Sequence, residues 1–118
     1  MSARARGAQA AALARAKARL DRLDLYPRPV SLRRVRIVVA PRLFSLPWFR
    51  RFQGYTIPSL ILLRSPLEQA SDDLVCHELC HVWQMQHHPL RMPLSYLVEG
   101  YARNRHELEA RRAVELTR

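Results

Sequence analysis

Lysine is almost missing from this chain of 118 residues: Lys17 stands alone, and the other nineteen basic residues are arginine. Acidic residues are scarce too, ten against twenty basic ones, which leaves a formal net charge of +10. Such an excess favours anionic partners of any kind and acts on solubility and encounter rather than on fold. The arginines run from Arg4 to Arg118 with one concentration at Arg33, Arg34 and Arg36, and no aromatic-interleaved or zinc-knuckle pattern accompanies them. Nucleic acid therefore stays an open partner without a motif behind it. Long apolar runs are lacking as well, so no segment is expected to span a membrane, which takes about twenty apolar residues. The first twenty residues have no continuous apolar stretch of the kind a secretory signal needs. Their Arg4, Arg6, Arg15, Lys17 and Arg19 among alanines fit an organellar presequence or an ordinary amphipathic helix, and the helix is the reading adopted here. There are only two cysteines, Cys76 and Cys80, four apart on an expected helix where side-chain geometry rarely closes a disulfide. A reduced, cytoplasmic protein is expected, with the pair serving as small buried residues.

What is present suffices for one domain. The chain is 48% hydrophobic and 25% charged, too apolar for disorder, and its length suits a single unit over residues 1–118. All eight prolines fall between Pro27 and Pro93. Because each proline removes a backbone donor and restricts its predecessor, the proline-free windows are the helical candidates. An N-terminal helix is expected within 1–26, where Leu13, Ala16, Leu20 and Leu23 repeat at spacings of three and four. A second is expected within 66–88, starting at Ser65 with Pro66 in its first turn or at Ser71. A C-terminal helical region is expected over 94–118. Between the first two, residues 30–64 should form a small twisted sheet, with strands in Val30 to Ala40 and in Leu60 to Leu63. Trp48, Phe49 and Phe52 in the connection are read as core or cover. The fold class is α+β.

Chemistry concentrates in one segment, Leu74-Val75-Cys76-His77-Glu78-Leu79-Cys80-His81-Val82-Trp83-Gln84. On a helix His77 and His81 lie one turn apart on the same face, so both imidazoles can converge on one metal ion. Glu78 is rotated by about 100° from His77, which sets its carboxylate beside a metal-activated water as general base and acid. Leu74, Leu79, Val82 and Trp83 supply the apolar sides.

A catalytic zinc takes three protein ligands and keeps one position open. Glu107, twenty-six residues after His81, is the first candidate for the third, with Glu99 and Glu109 competing. Asn104-x-x-Glu107 is also a helix-start pattern, in which Glu107 would only complete a cap. His87 offers a rival ligand, since His77, His81 and His87 have the spacing of a site whose helix ends in a glycine turn. Gln84 occupies that glycine's position and speaks against it. His88 and His106 have no motif and are expected at the surface.

Together, Gly54-Tyr55-Thr56-Ile57, the run to Leu63-Arg64, HELCHVWQ and the later NRHELEA resemble the gluzincin metallopeptidases, especially the small single-domain minigluzincins and related bacterial domains. The resemblance covers roughly residues 54–113. It implies one zinc held by His77, His81 and Glu107, with Glu78 as general base and acid. It implies that the strand near Leu60 to Leu63 is an edge strand holding an extended peptide by its backbone. The family's carboxylate four residues after the ligand glutamate is here Arg111, so the partner that would orient a histidine is not identified. Tyr101 and His106, then Tyr96, are the candidates for stabilising an oxyanion.

The expected function is hydrolysis of peptide bonds in a peptide or protein substrate, with latency possible if either terminus lies across the cleft. The rivals are a non-catalytic zinc domain stapling a small core and a nucleic-acid-associated adaptor or protease recruited by the arginines.

Overall fold

The computed structural model describes residues 2–101 and 104–118. Its elements are α1 (Ala3–Leu20), β1 (Arg36–Val39), β2 (Gly54–Ile57), β3 (Leu60–Leu63), α2 (Asp72–His87), α3 (Arg91–Glu99) and α4 (Arg105–Thr117). This is the expected α+β architecture. Among the described residues, no helix is long and apolar enough to cross a membrane.

Local chemistry sets the helix ends. Ser2 caps α1 by accepting the Ala5 N–H at 3.1 Å, and Ser71 caps α2 by accepting that of Leu74 at 3.0 Å. The helix therefore starts at the later of the two expected sites, while Leu67–Gln69 forms a separate 3-10 turn. α1 ends at Leu20, short of the window to residue 26, and the chain turns back so that Tyr26 packs against Trp83 with ring centroids 5.3 Å apart.

The C-terminal region is two helices rather than one. Gly100, at φ 75°, closes α3 in a backbone conformation that favours glycine, and Asn104 opens α4 by accepting the His106 and Glu107 N–H groups. α3 also begins before Pro93, which lies in the first turn, where a missing N–H leaves no intrahelical bond unmade.

The sheet has the order β1-β3-β2, with β1 parallel and β2 antiparallel to β3. Two corrections follow. The stretch Val30 to Ala40 pairs only over Arg36–Val39, because β3 offers just four residues to pair with, and Val30 and Val35 enter the core outside the ladder. Leu60–Leu63 is the central strand, not an edge; the strand on the α2 side is β2, which sequence reading missed. Its two-residue turn, Pro58-Ser59, sets the register Thr56↔Ile61.

The core joins Leu13, Ala16 and Leu20 of α1 to Val75, Leu79, Val82 and Trp83 of α2, to Ile61 and Leu63 of β3 and to Ala110, Ala113 and Val114 of α4. Each large aliphatic side chain buried here contributes about 1.5–3 kcal/mol. Cys76 and Cys80 lie fully buried in it as free thiols, and burial pushes both up. A smaller cluster of Phe44, Phe52 and Leu62 lies under the 40–53 connection, with Phe49 packed on it and Trp48 in solvent.

Candidate metal centre

α2 carries apolar residues on the face toward α1 and polar ones on the other. His77 and His81 stand one turn apart with ring centroids 4.8 Å apart, edge to face. His77, Glu78 and His81 could hold a metal ion: each offers a ligand atom within 4.8 Å of the others. Glu107 reaches them from α4, its Oε1 2.9 Å from His77 Nε2 and its Oε2 2.9 Å from His81 Nε2.

Glu107 is gathered from several sides. The Tyr101 hydroxyl donates to Oε1 at 3.1 Å and the Tyr96 hydroxyl to Oε2 at 3.3 Å, while Arg111 Nε lies 3.5 Å from Oε1. Burial works to raise this carboxyl's pKa, but the two imidazoles beside it hold it well below the carboxylate range. The Asn104 cap and the inward carboxylate coexist: Asn104 serves the backbone of α4 and leaves the Glu107 side chain free for the histidines.

Gln84 shows why a cation fits between these groups. Its Nε2 donates to the His106 carbonyl at 2.7 Å and to Glu109 Oε1 at 3.1 Å, which turns its Oε1 toward His81 Nδ1 at 2.7 Å. That nitrogen must carry the hydrogen, so in a neutral His81 the lone pair sits on Nε2. There it faces a carboxylate oxygen at 2.9 Å, acceptor against acceptor, an arrangement that needs a proton or a metal ion between them. Burial lowers the pKa of His81, but the Glu107 bond and the Glu78 charge raise it more, which is the proton's version of the same demand. Ligands about 2.0–2.1 Å from a tetrahedral zinc stand roughly 3.3 Å apart, so the 2.9 Å separations fall a few tenths of an ångström short. The donor set fits the ion.

Glu78 is buried against the end of β2. A Cβ at Gly54 would stand 3.1 Å from Glu78 Cγ and 3.3 Å from Cδ, so a side chain there would displace the Glu78 side chain by a few tenths of an ångström. Thr56 donates its hydroxyl hydrogen to Glu78, whose carbonyl and Oε2 lie at 3.2 and 3.3 Å. Burial raises the Glu78 pKa, the neighbouring histidines lower it, and burial prevails. A cleft of about 620 Å³, lined by Phe52, Tyr55, Glu78, His81, Met85 and Tyr96 among others, opens on one side of Glu78. A second, of about 520 Å³, opens on the other and is bordered by His77, Arg111, Glu115 and Arg118.

Several expected ligands lie elsewhere. The Glu99 carboxylate is taken by Arg105, whose Nη2 lies 2.6 Å away and whose N–H it accepts. Glu109 accepts from Tyr26 and Gln84, one layer behind His81. His87 stacks on Tyr26 at 5.0 Å near the end of a helix that runs straight past Gln84, so the glycine-turn arrangement does not form. His106 is buried, not at the surface, with Nδ1 3.0 Å from Ser95 Oγ, a bond that ties α4 to α3 and keeps that nitrogen from an oxyanion. His88 is half-buried and stands edge-on to Tyr26.

The residue that sequence reading missed is Gln84, taken there only as an obstacle to a glycine turn. It lies three residues after His81 on one helix face, and that spacing was the available signal. No protein-family model, no curated protein and no solved structure matches the chain.

Proposed function

We propose that the protein is a gluzincin-type zinc metallopeptidase. The observation that carries the reading is the convergence of two helix-borne imidazoles and a buried glutamate from another helix, with a second buried carboxylate at the floor of a cleft. His77, His81 and Glu107 would hold the ion and leave Glu78 free. When bound, zinc supplies Lewis acidity that acidifies water and polarises a carbonyl.

The rest falls to this chain's own groups. Glu78, raised by burial, is suited to accept a proton from water and return it to a leaving amine. Thr56 and Gly54 fix where its carboxylate stands. Gln84 holds His81 in the tautomer that presents Nε2. Tyr101 borders both clefts, within reach of a developing oxyanion on giving up its bond to Glu107. Among the described residues the outer edge of β2 is unpaired, and it supports an extended peptide by backbone hydrogen bonds, the role expected of the central strand. An apolar side chain of that peptide matches the aromatic cleft. α1 borders neither cleft, but Glu115 and Arg118 border the second, so latency, if present, belongs to the C-terminal end.

A structural zinc domain is the second reading, favoured by Glu107 sitting where α2, α3 and α4 meet. The experiment separates the two. Metal per chain is measured for the wild type, His77→Ala, Glu107→Ala and His87→Ala, with hydrolysis of a peptide library by the wild type and Glu78→Gln. About one zinc, lost with the first two variants and kept in the third, establishes the ligands. Glu78→Gln should keep zinc and lose activity by about 10²–10⁴-fold. Zinc without hydrolysis in the wild type supports the structural domain, and no zinc in the wild type ends both readings.

A further inference from the structure

α3 is apolar on two opposite sides. Met92 is buried and Tyr96 half-buried against the body of the protein. Leu94, Leu97 and Val98 are 56%, 83% and 86% exposed, and Leu90, just before the helix, is 76% exposed. At about 100° per residue these four fall on one stripe, facing away from Met92 and Tyr96. Across the cleft stands a second apolar lip, with Trp48 at 73% exposure and Ile57 at 47%. Trp48, Ile57 and Pro58 on one side and Pro93 on the other border the same opening.

Cationic side chains flank these lips. Along the sequence, residues 25–67 and 79–98 contain nine arginines and neither Asp nor Glu, and the Glu99 that ends α3 is paired with Arg105. The remainder carries eleven basic and ten acidic residues and is almost neutral. Arg50, Arg51 and Arg91 are exposed beside the apolar side chains, Arg51 lying over the Phe52 and Tyr101 rings at 5.1 and 5.4 Å.

Each class of partner can be weighed against that pairing of apolar and cationic surface. Nucleic acid would answer the arginines and leave the leucines in water. A second copy would cover the leucines and set like charges, those of Arg50, Arg51 and Arg91, against one another. A bilayer surface with anionic headgroups answers both, since leucine and valine enter the acyl boundary, tryptophan settles at the interface and arginine meets the headgroups. We propose that the outer face of α3 and the Trp48 lip form a docking surface for an anionic lipid bilayer. None of the residues of this surface is a proposed metal ligand. Only its consequence, a cleft opening toward peptides that lie at the membrane, rests on the hydrolase reading.

The test uses the full chain with vesicles of phosphatidylcholine alone and vesicles in which phosphatidylglycerol makes up about a third of the lipid. The protein should sediment with the anionic vesicles roughly tenfold more strongly than with the neutral ones, and added salt should weaken binding. Emission of Trp48, isolated by subtracting a Trp48→Phe variant that retains the buried Trp83, should shift to the blue. The double variant Leu97→Asp, Val98→Asp changes side chains that stand in water and so keeps its fold, checked by circular dichroism; its binding should fall about tenfold or more. Leu116→Asp, an exposed leucine outside both lips, should bind as the wild type does. Absence of binding to anionic vesicles at low salt overturns the proposal, as does undiminished binding by the double variant. Capture of polyglutamate without vesicle binding overturns it in favour of an acidic protein, and self-association abolished by the double variant overturns it in favour of a second copy.

Discussion

α2 looks in two directions. Toward α1 and α4 it presents Val75, Leu79 and Val82 to an interior in which, among the described residues, no buried side-chain polar atom lacks a partner. Toward the two clefts it presents His77, Glu78 and His81, while Trp48, Leu97 and Val98 stand in water. The first face is closed, apolar and complete. The second holds ionisable groups out of water at short range, a costly arrangement that persists because the groups satisfy one another and because the first face supplies the folding energy. The two roles should therefore separate under mutation.

The largest effect tests the closed face. Leu79→Ala empties a fully buried site and should cost about 2–5 kcal/mol in denaturant unfolding, while metal per folded chain stays as in the wild type. Loss of metal at an unchanged unfolding midpoint would break the division of labour. Next comes Gln84→Met, which removes the acceptor from His81 Nδ1 with little change of volume. Metal affinity, measured by chelator competition below the unfolding midpoint, should fall about 10–100-fold. Affinity within about twofold of the wild type would deny Gln84 the orienting role it has by geometry.

The smallest effect lies away from both faces. Asp73 bonds Arg19 and Arg118 at 2.9 Å, and these two arginines hold its carboxyl below the usual range. A depressed carboxyl stabilises the fold fully above its unfolded pKa, about 3.9, and loses that contribution as pH falls through the folded value. With 38% of the side chain exposed, solvent screening limits the effect of Asp73→Asn to about 1 kcal/mol or less. The difference between wild type and variant should be flat above about pH 5 and close in acid. A difference that widens on acidification would reverse the assignment.

The sequence made the site legible where its geometry is local. His77, Glu78 and His81 follow from helical periodicity alone, and the helix carrying them could be placed from Ser71 and the prolines. Glu107 could be named only as the first of three acidic candidates, because nothing within one helix says that α4 returns to α2. Gln84 escaped for the same reason: its orienting role depends on the His106 carbonyl and Glu109 arriving from α4. The division of the C-terminal region is readable from Gly100 together with the helix-start pattern at Asn104. Strand order was not readable. β2 has only four residues, Gly54 to Ile57, and no apolar run to announce it, so the conspicuous Leu60–Leu63 run was given the edge position that β2 holds.

The meeting of His81 with Glu107 also has a topological side. The two are twenty-six residues apart along the chain, so their contact closes a loop, and the whole of α3 lies within it. An ion shared by these side chains acts as a clasp on that loop, reducing the conformational entropy available to everything inside it. Occupancy at such a clasp would link to order in α3. Leu94, Leu97 and Val98, which stand in water, lie on the segment whose freedom such a clasp would reduce.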